Sequence, residues 1–142
     1  MKQVLLFLFL CCATAVRGAV PTDSLSQRPV EGHFFCEETG VHLYLNLYEP
    51  TLTAPGFDFL GPLGGYMLGD IYGTWMLTKH SIHGRKAKLR FSNDIGSDSQ
   101  DIEWVQTSDS TYTYKAVGGN AIRRAEGRKL VKVTGEMVFK RK

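Results

Sequence analysis

The chain has 142 residues, 43% of them hydrophobic and 22% charged, with seventeen Lys and Arg against fourteen Asp and Glu. That length is enough for one hydrophobic core. The small charge imbalance gives no ground for a nucleic-acid binder, and no nucleic-acid partner is expected.

Residues 1–18 predict a cleavable secretory signal. Lys2 supplies the positive start, and the apolar run from Val4 to Leu10 continues through Cys11, Cys12 and Ala13. Ala13-Thr14-Ala15 and Val16-Arg17-Gly18 offer the cleavage sites. A membrane-spanning helix needs ~20 apolar residues, and this run is shorter and closed by Arg17. A lipoprotein signal wants a small residue before its cysteine, whereas Leu10 precedes Cys11 and Cys11 precedes Cys12. Cleavage removes Lys2 and Arg17, which leaves fifteen basic against fourteen acidic residues. It also removes two of three cysteines, so Cys36 stands alone and no intramolecular disulfide can form. An exported domain that folds on its core alone points to a bacterial periplasm or cell surface. No second apolar span follows, so no transmembrane segment is expected after cleavage.

Residues 19–31, with Pro21, Ser24, Ser26 and Pro29, have no period and read as a flexible leader to a single domain at 32–142. Val41, Leu43, Leu45 and Leu47 alternate with His42, Tyr44, Asn46 and Tyr48, which predicts a half-buried strand. Residues 32–36 pair with it across the turn Glu38-Thr39-Gly40. From Glu49 to Asp70 five glycines and three prolines punctuate short apolar pieces. A loop this long covers a core or forms a site, and Phe57, Phe59 and Leu60 are expected to plug one barrel end. Residues 72–80 and 86–93 predict a hairpin around His83-Gly84, with Ala87, Leu89 and Phe91 inward and Lys86, Lys88 and Arg90 outward. A second hairpin, 101–107 with 111–117, and three short strands at 121–126, 129–134 and 136–142 complete the chain. Evenly spaced short strands without a helical period give an all-β fold, an antiparallel meander closed as a small barrel or sandwich.

Several constellations could carry chemistry. Asp94, Asp98 and Asp101 gather oxygen ligands around Gly96, as a hard cation requires, though without the spacing of a helix–loop–helix calcium site. A solvated hairpin loop explains them as well. His80 and His83 flank a turn, but no third ligand accompanies them. No cofactor motif is present. Phe57, Phe59, Tyr66, Trp75 and Phe91 could line an apolar pocket at a barrel end and bind a small apolar ligand. Arg123, Arg124, Arg128, Lys129, Lys132, Lys140, Arg141 and Lys142 crowd the C-terminal segment, and strand alternation would set many of them on one outer face. Such a face suits an anionic envelope component, or serves as edge lysines that deter aggregation.

Three resemblances follow from particular residues. Gly73-Thr74-Trp75 has the form of the G-x-W signature of lipocalins, which implies a calycin-like barrel with the tryptophan in its core. The motif belongs to the first lipocalin strand, whereas here it lies mid-chain with only 67 residues after Trp75. The segment around His42 and Gly56-Phe57-Asp58-Phe59 resembles small microbial guanyl-specific ribonucleases. That resemblance implies a base at Glu49 or a neighbour, supported by His42 and Arg90, but the disulfides and helix of that family are not evident. The mature region is also similar to small secreted β-proteins of unknown function of the Bacteroidetes type. Asp70-Ile71-Tyr72-Gly73-Thr74-Trp75 and Leu89-Arg90-Phe91-Ser92-Asn93-Asp94 carry that likeness, which implies a periplasmic or outer-surface location.

The leading expectation is an exported non-enzymatic binding or accessory protein of the cell envelope. The alternative is a hydrolase using His42 with Glu49 or Asp58, recognisable by a carboxylate within hydrogen-bond reach of His42 in a cleft.

Overall fold

A computed structural model describes residues 28–142; the predicted signal peptide and the leader up to residue 27 lie outside them. The strands are β1 (Glu31–Cys36), β2 (Val41–Asn46), β3 (Gly65–Gly69), β4 (Trp75–His83), β5 (Lys86–Asn93), β6 (Ser99–Gln106), β7 (Thr111–Gly119), β8 (Arg123–Glu126), β9 (Lys129–Lys132) and β10 (Glu136–Arg141). Eight of them close an antiparallel barrel in the order β1-β10-β7-β6-β5-β4-β3-β2, and β8 and β9 form a separate hairpin. The all-β meander is thus a barrel rather than a sandwich. Among the described residues no helix is long and apolar enough to cross a membrane.

Period-two alternation decides what points inward. In β2 Val41, Leu43 and Leu45 are buried while His42, Tyr44 and Asn46 are half-buried. In β5 Ala87, Leu89 and Phe91 face in and Lys86, Lys88 and Arg90 face out, as the sequence pattern requires. Phe34, Trp104 and Tyr112 meet at ring-centroid distances of 4.7 to 5.2 Å, and Phe139 packs 5.5 Å from Trp104 and 5.8 Å from Tyr114. Large rings therefore fill the interior, which is a packed core rather than a calyx.

Buried polar groups find partners within this core. The Tyr114 hydroxyl donates to Gln100 Oε1, and Gln100 Nε2 donates to Asn120 O at 3.1 Å. Burial pushes the Tyr114 hydroxyl pKa far above its usual value. Trp104 Nε1 donates to Pro29 O at 3.1 Å, which draws the chain entry across one barrel end. Val30, assigned by its sequence context to the leader, is fully buried there, and Glu31 already belongs to β1. Closure comes from β1 and β10, in the register Phe34↔Arg141 and Phe35↔Lys140. Arg141 locks the seam: its guanidinium donates to Glu31 O at 2.6 Å and to the Tyr112 hydroxyl at 2.5 Å.

The apolar loop departs from expectation. Gly65–Gly69 is not loop but strand β3, paired with β2 along its whole length and with β4 at Tyr66↔Met76 and Met67↔Trp75. Phe59 is 80% exposed and Leu60 is exposed too, so neither plugs the barrel; Asp58–Leu60 is a single 3₁₀ turn at the surface. β4 begins at Trp75, and a bulge between Leu77 and Lys79 shifts its later residues by one. A second bulge at Asp101/Ile102 leaves Val117 out of register and exposed on β7.

Candidate functional site

The expected apolar pocket does not form. Trp75 and Phe91 point into the core, whereas Tyr66 stacks on Tyr44 at 4.7 Å between outward-facing positions. Phe57 and Phe59 pair with each other in the surface loop, 6.0 Å apart. The expected catalytic set is also not assembled. His42 bonds to His33 rather than to a carboxylate, Asp58 is exposed on its 3₁₀ turn, and Arg90 pairs with Asp101 at 3.1 Å. Glu49 lies exposed beyond β2, its N–H donating to Asn46 Oδ1 at 3.1 Å.

The three loop aspartates serve separate partners. Asp94 Oδ1 accepts from the Thr74 N–H at 2.7 Å, Asp98 faces Arg123 at 3.9 Å, and Asp101 holds Arg90. Among the described residues no three His, Cys, Asp or Glu converge as a metal cage. His80 and His83 both lie in β4, where a spacing of three sets side chains on opposite faces, so they do not flank a shared site. The basic residues divide as well. Arg123 to Lys132 ride on the β8–β9 hairpin at one barrel end, and Lys140 to Lys142 close the seam at the other.

That hairpin builds the most site-like feature. It folds back through Tyr72 N–H to Arg123 O at 2.7 Å and Val133 N–H to Ile122 O at 2.8 Å, with Ile122 and Val133 buried beneath it. Arg124 adds an ion pair to Asp70 at 2.9 Å. Between the hairpin and the Asp94–Asp98 loop lies a cleft of about 130 Å³ walled by Tyr72, Ile95, Asp98, Arg123 and Leu130, with Trp75 among its lining residues.

The cleft wall is held rigidly. Tyr72 O accepts from Trp75 Nε1 at 3.3 Å and from Asn93 Nδ2 at 2.9 Å. Asn93 Oδ1 in turn accepts from the Ile95 N–H at 2.6 Å. Gly73 sits at φ +83°, and a Cβ there would stand 2.7 Å from Asp94 Oδ1 and 2.8 Å from Asn93 Oδ1. The glycine of Gly73-Thr74-Trp75 is therefore required by close approach to this loop, and the tryptophan by the core under the cleft. Tyr72, Ile95 and Leu130 remain 41%, 55% and 47% exposed around the rim. Wider grooves, of about 440 Å³ each, run along charged walls at Lys88, Arg90 and Glu103 and at Glu37, Glu38 and Lys140.

A second feature lies outside the barrel wall. His33, Tyr44 and Tyr66 are register partners across β1, β2 and β3, and their rings stack at 4.2 and 4.7 Å. Phe35 packs on His42 at 4.5 Å, and His33 Nε2 lies 2.9 Å from His42 Nδ1. Burial, aided by the charges of His42 and Lys142, lowers the His33 pKa. Sequence reading singled out His42 and Tyr66 but not His33 or Tyr44.

Comparison with protein-family models, curated proteins and solved structures gives no match.

Proposed function

We propose that the chain is an exported, non-enzymatic binding protein of the cell envelope that takes a small amphipathic anion in the cleft beneath the β8–β9 hairpin. The observation that carries this reading is Arg123 set beside an apolar rim. Its partner Asp98 stands 3.9 Å away, and both side chains are substantially exposed. Such a pair is worth roughly 0–1 kcal/mol, so a carboxylate or sulfate able to form charge-assisted bonds can replace it.

The size of the site limits its ligand. A cavity of ~150 Å³ holds one benzene ring, so the cleft accepts a ring or the end of a short acyl chain, while Ile95 and Leu130 cover what protrudes. This reading joins two sequence expectations, a small apolar ligand and an anionic envelope component, in one molecule. It accords with the resemblance to secreted β-proteins of the Bacteroidetes type and with a periplasmic or outer-surface location. The hydrolase reading gains no support, because His42 has no carboxylate partner.

NMR titration with benzoate and octanoate, against benzyl alcohol and octanol as neutral analogues, tests the proposal. Saturable shifts at Tyr72, Ile95 and Leu130 are expected, with the anions about tenfold to a hundredfold tighter, as one charged hydrogen bond of ~1.5–3 kcal/mol implies. Arg123→Gln should erase that difference. Equal affinity for the neutral analogues, or no saturable shift, would count against it.

A further inference from the structure

We infer that His33 and His42 form a two-imidazole binding site for a divalent transition metal on the outer wall of the barrel, with copper(II) the preferred ion and zinc(II) next. The site is independent of the cleft.

The geometry carries the inference. His33 lies in β1 and His42 in β2, where the register sets His33 opposite Tyr44 and Phe35 opposite His42. The two histidines are thus diagonal neighbours on one face, and their facing nitrogens approach to 2.9 Å. Two imidazole nitrogens each ~2.0–2.1 Å from one metal are about 2.9 Å apart when they subtend a right angle, as in tetragonal copper(II), and about 3.3 Å apart when tetrahedral. The first spacing is already present, and the second needs the two nitrogens to separate by about 0.4 Å.

Both rings are also prearranged. Tyr44 stacks on His33 at 4.2 Å with 10° between planes, and Phe35 covers His42 at 4.5 Å. Little rotamer freedom remains to be lost when a metal enters. In the metal-free protein a single proton can bridge the two nitrogens, one ring donating and the other accepting. The metal displaces that proton from the facing nitrogen to the same ring's other nitrogen, so the neutral pair loses no proton overall, and acid competes with the metal only by forming imidazolium. Among the described residues no third His, Cys, Asp or Glu completes a cage, so water fills the other positions. Two nitrogens with exchangeable waters favour copper(II) at the top of the divalent series.

Isothermal titration of the full chain with copper(II) chloride tests the site, followed by electron paramagnetic resonance of the complex. One equivalent should bind with hyperfine coupling to nitrogen. His33→Gln and His42→Gln should each weaken binding at least tenfold, while the double variant His80→Gln/His83→Gln should leave it unchanged. Should the single variants misfold, paramagnetic broadening in the unaltered protein decides: it should centre on His33, His42, Tyr44 and Phe35. Binding unaffected by either single variant, broadening centred elsewhere, or no binding at all overturns the inference.

Discussion

At single positions the fold is most demanding where backbone meets backbone. Gly69 adopts φ +124°, and a Cβ there would run into the carbonyl oxygen of Gly40, a main-chain atom that cannot step aside. Gly84 also has positive φ, +65°, but a Cβ there meets nothing within 4 Å. Both glycines satisfy a left-handed backbone, yet only the first also satisfies a contact. Gly69→Ala should therefore destabilise by about 3 kcal/mol or more, and Gly84→Ala by about 1 kcal/mol. Urea denaturation of the two variants checks the contrast, and equal midpoints would refute it. Tyr114 gives a pH signature at the same scale. Its hydroxyl pKa is raised by burial, so above pH ~10 the unfolded chain releases a proton that the folded chain retains. Stability from this group is present below that pH and declines as pH rises. Absorbance at 295 nm should show part of the tyrosine ionisation delayed until alkaline unfolding. Complete ionisation near pH 10 in a still-folded barrel would show the argument to be mistaken.

Elements differ in how far neighbours support them. β5, β6 and β7 each pair on both sides along most of their length, whereas β8 and β9 pair only with each other and are largely exposed. The hairpin is fastened by Tyr72 N–H to Arg123 O, by Val133 N–H to Ile122 O and by the Arg124–Asp70 pair. Its amides should accordingly exchange about a hundredfold or more faster than those of β6, since local opening releases so little buried surface. Hydrogen–deuterium exchange measures this, and uniform protection across β6 and β8 would exclude a separately opening hairpin. The same scale explains what the sequence could disclose. β2 and β5 were legible because their alternation is local and uninterrupted. β3 was hidden because two of its five residues are glycine, and its identity rests on pairing with β2 rather than on a pattern of its own. The cleft was illegible for a related reason. Trp75 and Asp98 were singled out, but for other roles, and only the fold-back of the hairpin sets Arg123 and Leu130 beside them. His33 could have been found: pairing 32–36 with 41–48 across the predicted turn already places it diagonal to His42.

For the whole molecule, no cysteine pair staples the described chain, whose one cysteine, Cys36, is buried and free. The barrel must hold by side-chain packing and by closing its two ends. One end is capped by the β8–β9 hairpin over Ile122 and Val133, the other by the chain entry, where Val30 is fully buried and Pro29 O accepts from Trp104. Closure of the sheet joins β1 to β10 across roughly a hundred residues, a separation over which no local pattern carries information. The position of Val30 follows from that closure, because a segment read as leader becomes core only once β1 is locked into the seam. Its contribution can be set against a chemically identical change on the outer wall. Val138 on β10 is 52% exposed. Val30→Ala should lower stability by about 2 kcal/mol through lost burial and an imperfectly filled space, while Val138→Ala should stay within about 0.5 kcal/mol of the parent. Thermal and urea unfolding of the pair provide the measurement. If both substitutions act alike, the chain entry is not part of the core.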